Sequence, residues 1–159
     1  MNETVREYVR LTQELDARDT PVVLVLFGDH KPWMGNGGSA YEEMGIDFDT
    51  STLAGFRNYY ATPYLIWANR AAKEVLGADF TGDGGDFSPC FLMTRLFDAC
   101  GWAGPGYMQL SRAMRDISPL LHTNGLFLHD GVLTSVLSDT DRSFYRSWLA
   151  VQYYREHVA

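Results

Sequence analysis

Two cysteines in 159 residues, Cys90 and Cys100, are too few for a disulfide framework and too far apart for a CxxC metal or redox motif. Both fall in an apolar helical pattern, so buried thiols are expected. Cations are scarce as well. Thirteen Lys and Arg face twenty Asp and Glu, a net charge of −7 that repels polyphosphate backbones, and no local basic patch offsets it. Nucleic acid is therefore not an expected partner. Long apolar runs are missing too: no stretch approaches the roughly 18 uninterrupted residues of a membrane span, and the amino terminus reads as a charged helix rather than a signal peptide. The expectation is a soluble chain without its own membrane segment. What the sequence has in quantity is aromatic surface, 14% Phe, Trp and Tyr with nine Tyr and four Trp, which points to a rich core or broad amphipathic faces. The length suits one domain that buries roughly 70% of the unfolded chain's surface. No internal repeat, low-complexity tract or second domain is visible.

Val5, Tyr8, Val9, Thr12 and Leu15 recur at helical spacing, predicting an amphipathic helix over residues 3–17. Residues 22–27, VVLVLF, are apolar without alternation, the pattern of a strand covered on both faces in a parallel or mixed sheet. A Gly-rich segment and a possible short helix near Tyr41 to Met44 lead to a second central strand at residues 63–68, with Pro63 at its first position. RAAKEVLG predicts a short helix closed by Gly77, followed by the TGDGGD loop. Ser88 and Pro89 supply an N-cap and a first-turn proline for a helix running to Cys100 and stopped by Gly101. Another helix is predicted from Pro105 to Ile117, with Tyr107, Leu110, Met114 and Ile117 on one face. Asp130-Gly131 between short apolar runs predicts a hairpin with a two-residue type I′ turn. A terminal helix over 139–157 is expected to turn Phe144, Tyr145, Trp148, Leu149 and Tyr153 inward. The fold class is α/β, with a sheet that looks cut: two central-type strands are too few for a parallel sheet with helices on both faces. The remaining strands either precede residue 1 in a longer protein or lie hidden in residues 45–61.

Open α/β sheets place their sites beyond the carboxyl ends of the strands, and there VLVLF runs into Gly28, Asp29, His30, Lys31 and Pro32. A carboxylate oxygen and an imidazole nitrogen suit Zn²⁺, Mn²⁺ or a similar divalent ion such as Mg²⁺. The same tripeptide also fits a bland role in which Asp29 caps the next turn and His30 packs beneath it, and spacing alone leaves the two readings level. Lys31 and Trp33 flank the pair and are candidates for contact with an anionic substrate, or for stiffening and covering the loop. His122 and His129 reach a metal only if the hairpin folds over the strand ends; structural hydrogen bonding is the simpler expectation. Asp83 and Asp86 lack the spacing and terminal glutamate of an EF-hand loop.

PVVLVLFGDHKPWMG, STLAGFRNYYATPYLIWANRAAKEVLG, FSPCFLMTRLFDACGWAGPGYMQ and WLAVQYYREH, taken in order, cover most of the chain. Together they resemble the carboxyl-terminal part of the lipoteichoic acid synthase-like sulfatase family, a branch of the alkaline phosphatase superfamily. GDHKP and TPYLIWAN are the most specific pieces. The resemblance implies a partial sulfatase-like sheet flanked by helices, with a small carboxyl-terminal hairpin and terminal helix. It implies that Asp29 and His30 ligate the catalytic metal, manganese in the synthases, and that a glycerophosphoryl group passes through a threonine intermediate. The threonine nucleophile, a glutamate ligand and a substrate-binding histidine come from earlier parts of the family's domain, so no catalytic nucleophile is assigned here. Thr4, Thr12 and Thr20 lack the nucleophile context, and Cys90 lacks the CxPxR context of a sulfatase nucleophile.

The expectation that follows is one half of a metal site in an enzyme of cell-envelope polymer synthesis, acting on a phosphoglycerol lipid or another anionic ester at the extracytoplasmic face of the membrane. Its partner would be the amino-terminal part of the catalytic domain, and its cut sheet edge would favour self-association. Two rivals stand beside it: a non-catalytic scaffold of the same fold, and a stand-alone metallohydrolase completing its coordination from His122, His129 or a loop aspartate.

Overall fold

The computed structural model describes residues 3–158. About half the chain is helical, and two small antiparallel two-stranded sheets complete a mixed α/β fold. The elements follow in the order α1 (Glu3–Asp16), β1 (Val23–Phe27), α2 (Ser39–Glu43), α3 (Leu53–Tyr60), β2 (Tyr64–Ala68), α4 (Arg70–Leu76), α5 (Leu92–Ala99), α6 (Gly106–Ile117), β3 (Phe127–His129), β4 (Val132–Thr134) and α7 (Asp139–His157). Residues 45–61 contain α3 and no strand.

Both expected strands form, but they pair with each other, antiparallel, with Val23 opposite Ala68 and Phe27 opposite Tyr64. Nor is β1 covered on both faces. Its first four residues are half-buried and Phe27 is 61% exposed, while Leu65 in β2 is 48% exposed. An apolar run without alternation reports composition, and only neighbouring layers decide coverage.

Asn69, which follows β2, fastens this part of the fold. Its side-chain oxygen caps α4 by accepting the Ala72 amide at 2.9 Å and also accepts the Val22 amide at 2.9 Å. Its amide nitrogen donates to the carbonyls of Leu15 and Thr20 at 3.0 and 2.9 Å, satisfying one carbonyl of the last turn of α1 and one in the segment leading to β1. Gly77 closes α4 as expected, in the left-handed conformation at φ 64°. The face of α1 carrying Val5, Tyr8 and Val9 stays exposed.

The main core lies among α5, α6 and α7, where Phe91, Met114 and Trp148 are almost fully buried and Leu110, Ile117, Phe144 and Tyr145 pack around them. Burying each such large side chain contributes about 1.5–3 kcal/mol. The Trp148 indole nitrogen donates to the Ser111 hydroxyl at 3.0 Å, so the polar atoms in this core are paired. Leu149 and Tyr153 do not turn inward: they are 40% and 63% exposed, because only one stripe of a long helix can meet α6. Ser88 does not cap its helix. Its hydroxyl instead donates to the Leu121 carbonyl and accepts the Leu121 amide, and residues 89–91 form a 3₁₀ turn before α5 begins. Cys100 is buried, whereas Cys90 is exposed as a residue, although burial around its thiol pushes the pKa up to about 11. Asp130 and Gly131, at φ 50° and 76°, form the type I′ turn between β3 and β4.

Candidate metal centre

The end of β1 is fixed from across the sheet. The Gly28 amide donates to the Pro63 carbonyl at 3.0 Å, and the Thr62 hydroxyl donates to the Gly28 carbonyl at 2.7 Å. A Cβ on Gly28 would lie 3.0 Å from Thr62 Cβ, so glycine at this position permits the close approach. The chain leaves this clamp through Asp29 and His30, whose side chains are 81% and 77% exposed.

The two oxygens of Asp29 serve different ends. Oδ1 accepts the amide of the next residue, His30, at 2.9 Å, while Oδ2 lies 3.4 Å from His30 Nε2. His30 Nδ1 lies 3.0 Å from the Lys31 carbonyl. A carbonyl oxygen only accepts, so Nδ1 carries a proton, while Nε2 faces the Asp29 carboxylate, itself an acceptor. A backbone carbonyl on one ring nitrogen is also the contact that orients histidines where they ligate metals. The spacing fits as well: two donors about 2.0–2.1 Å from one Zn²⁺ at the tetrahedral angle stand roughly 3.4 Å apart.

Among the described residues no group of three or more His, Cys, Asp or Glu side chains gathers to hold a metal. His122 packs its ring against Phe56 and Tyr60, with centroids 5.2 and 4.5 Å away, and its Nδ1 accepts the Asn124 amide. His129 Nδ1 bonds the Ile117 carbonyl at 3.0 Å. Asp83 Oδ1 accepts the Gly85 amide, and Asp86 pairs with Arg57 at 2.8 Å. Each of these residues is engaged in a local turn or with a neighbouring element, and none joins Asp29 and His30.

Lys31 and Trp33 part company. The Lys31 ammonium donates to the Asn58 carbonyl on α3 and sits 5.9 Å from the Phe48 ring centroid, so it ties the loop down. Trp33 is 68% exposed. Tyr41 braces the same loop, its hydroxyl donating to the Pro32 carbonyl at 2.6 Å while its ring packs on Phe48. Sequence reasoning missed Thr62 and Tyr41, since a hydroxyl that reaches a distant backbone carbonyl leaves no periodic signal. Comparison of the chain with protein-family models, curated proteins and solved structures found no match.

Proposed function

We propose that the chain is the carboxyl-terminal part of a metal-dependent, lipoteichoic acid synthase-like sulfatase family enzyme, a phosphoglycerol transferase or ester hydrolase of cell-envelope polymer synthesis. The observation that supports this reading is the Asp29–His30 pair: a carboxylate oxygen and an imidazole nitrogen 3.4 Å apart, on an exposed loop clamped at a strand's carboxyl end, with His30 Nδ1 held by the Lys31 carbonyl. Asp29 Oδ2 and His30 Nε2 would hold the ion, with Mn²⁺ the first candidate and Zn²⁺ or Mg²⁺ the others. Such an ion lowers the cost of deprotonating a hydroxyl nucleophile and offsets charge on phosphoryl or sulfuryl oxygens.

The residues present here orient and support. Asp29 Oδ1 and the Lys31 carbonyl fix the two ligands, Lys31 anchors the loop to α3, and exposed Trp33 offers a flat apolar face to the carbon skeleton of a substrate. In this proposal the nucleophile and the other ligands come from the amino-terminal part of the catalytic domain, working at the extracytoplasmic face of the membrane. Among the described residues no helix is long and apolar enough to cross a membrane.

Calorimetric titration of Mn²⁺ and Zn²⁺ into the chain tests the proposal, with Asp29→Asn and His30→Gln as controls and a phosphodiester assay in parallel. Weak one-to-one binding, lost in either variant and without turnover, is expected. Binding that survives both substitutions, or no binding at all, refutes the metal assignment. Turnover by this chain alone refutes its dependence on a second part and favours the stand-alone hydrolase.

A further inference from the structure

The two ends of the β1–β2 ladder reveal which backbone groups of β2 are unused. Gly28 donates to Pro63, and Asn69 donates to Val22, both at 3.0 Å, so Gly28/Pro63 and Val22/Asn69 are hydrogen-bonded positions. Antiparallel pairs alternate, which makes Leu24/Trp67 and Leu26/Leu65 the hydrogen-bonded pairs between them. The amides and carbonyls of Tyr64 and Ile66 therefore point away from β1. Among the described residues no strand pairs with that edge. Tyr64, Leu65 and Ile66 line a cleft of about 620 Å³ together with the 78–84 loop and α5.

Charge in the cleft is divided. From α5, Arg95 enters its lining with its side chain 34% exposed and its guanidinium 4.0 Å from Asp98 Oδ2. Asp98 is already taken by Arg112 at 2.6 Å and Arg115 at 2.7 Å, so Arg95 is a third cation around one carboxylate. It makes no hydrogen bond among the described residues, although the guanidinium fork suits bidentate pairing with an anion. From the loop, the exposed residues Asp79 and Asp83 line the same cleft, as does Asp98 on α5, whose carboxylate is already paired with Arg112 and Arg115. A simple anion would meet both Arg95 and the two loop carboxylates. A ligand with one anionic end and one cationic group complements all three.

We propose that this cleft binds a short extended peptide, which adds to the free edge of β2, sets its terminal carboxylate on Arg95 and presents a basic side chain to Asp79 and Asp83. Edge strands recruit extended peptides through main-chain hydrogen bonds, and fixed charges at either end set direction and selectivity. The cleft volume lies within the range of small-ligand sites. This site stands apart from the Asp29–His30 reading and does not depend on it.

Calorimetry with acetyl-Lys-Val-Thr-Val as the free acid, its carboxyl-terminal amide, and acetyl-Glu-Val-Thr-Val tests the proposal. The free acid is expected to bind about tenfold more tightly than the amide, the worth of one charge-assisted pairing, and more tightly than the Glu peptide. Arg95→Met should bind acid and amide alike, while Asp29→Asn should leave the peptide affinities unchanged. The acid–amide comparison on the unaltered chain stands even if Arg95→Met fails to fold. Equal binding of acid and amide, no binding at millimolar peptide, or discrimination that persists in folded Arg95→Met overturns the proposal. So does a dimer seen by light scattering that the free-acid peptide does not dissociate, which would assign the edge to a second copy.

Discussion

The side-chain oxygen of Asn69 accepts the backbone amide of Val22 at 2.9 Å, joining the residue before β1 to the residue after β2. The same oxygen caps α4 and the amide nitrogen holds a carbonyl in the last turn of α1, so one fully buried side chain ties together two helices and a ladder. Asn69→Ala leaves several of these groups without partners. It should cost about 3 kcal/mol in urea unfolding. Asn69→Asp keeps the acceptor, loses the donors and buries a charge, so it should be at least as damaging. A loss below about 1 kcal/mol for both variants would show that water replaces the carboxamide.

The Asp98 carboxyl makes stability depend on pH. Burial alone would push its pKa up, but hydrogen bonds and charge from Arg115 and Arg112 outweigh burial and hold it below the ordinary carboxylate value. Because the folded state binds this proton less readily than the unfolded chain, the stabilisation is complete above the unfolded pKa, about 3.9, and fades as pH falls through the lower folded value. Asp98→Asn should therefore destabilise the protein at pH 7 by about 2 kcal/mol. The gap should narrow below pH 4, and denaturation midpoints measured from pH 7 to pH 2 check this. A gap that stays constant with pH would assign the loss to packing.

Thr62 acts on the loop proposed to hold a metal, from β2's side, through its 2.7 Å bond to the Gly28 carbonyl. Thr62→Val preserves shape and removes that bond. Overall stability should fall by about 1 kcal/mol, while Mn²⁺ affinity should fall about tenfold, since groups that orient ligands typically contribute this much. Thr62→Ser should restore most of the affinity. Parallel calorimetry and thermal melts separate the two effects, and an unchanged affinity for Thr62→Val would mean that the loop orients itself.

Helices were the most legible part of the sequence. The periodic apolar positions of α6 and α7, Gly77 after α4, and Asp130-Gly131 in the hairpin each encode a local backbone preference within a few neighbouring residues. Asp29 and His30 were legible as a pair because they are adjacent and follow an obvious strand. Less could be read from Ser88, a good N-cap by residue type whose hydroxyl was claimed by Leu121, 33 residues away in sequence. Leu149 and Tyr153 were misleading for a related reason, since an apolar residue on a helix turns inward only where another element arrives to meet it.

By itself, the sequence determined most of the helices, the two strands β1 and β2 and the hairpin turn, though not α3, and that a carboxylate and an imidazole leave β1 together. Tertiary structure alone decided that β1 and β2 pair antiparallel with each other, that Asn69 gathers the ends of three elements, and that Arg95 reaches a cleft beside the free edge of β2. Local preference is set by torsions and neighbours a few residues apart. Pairing, hydrogen-bond capture and charge surplus depend on which distant groups come within about 3–4 Å, and no pattern along the chain encodes that distance.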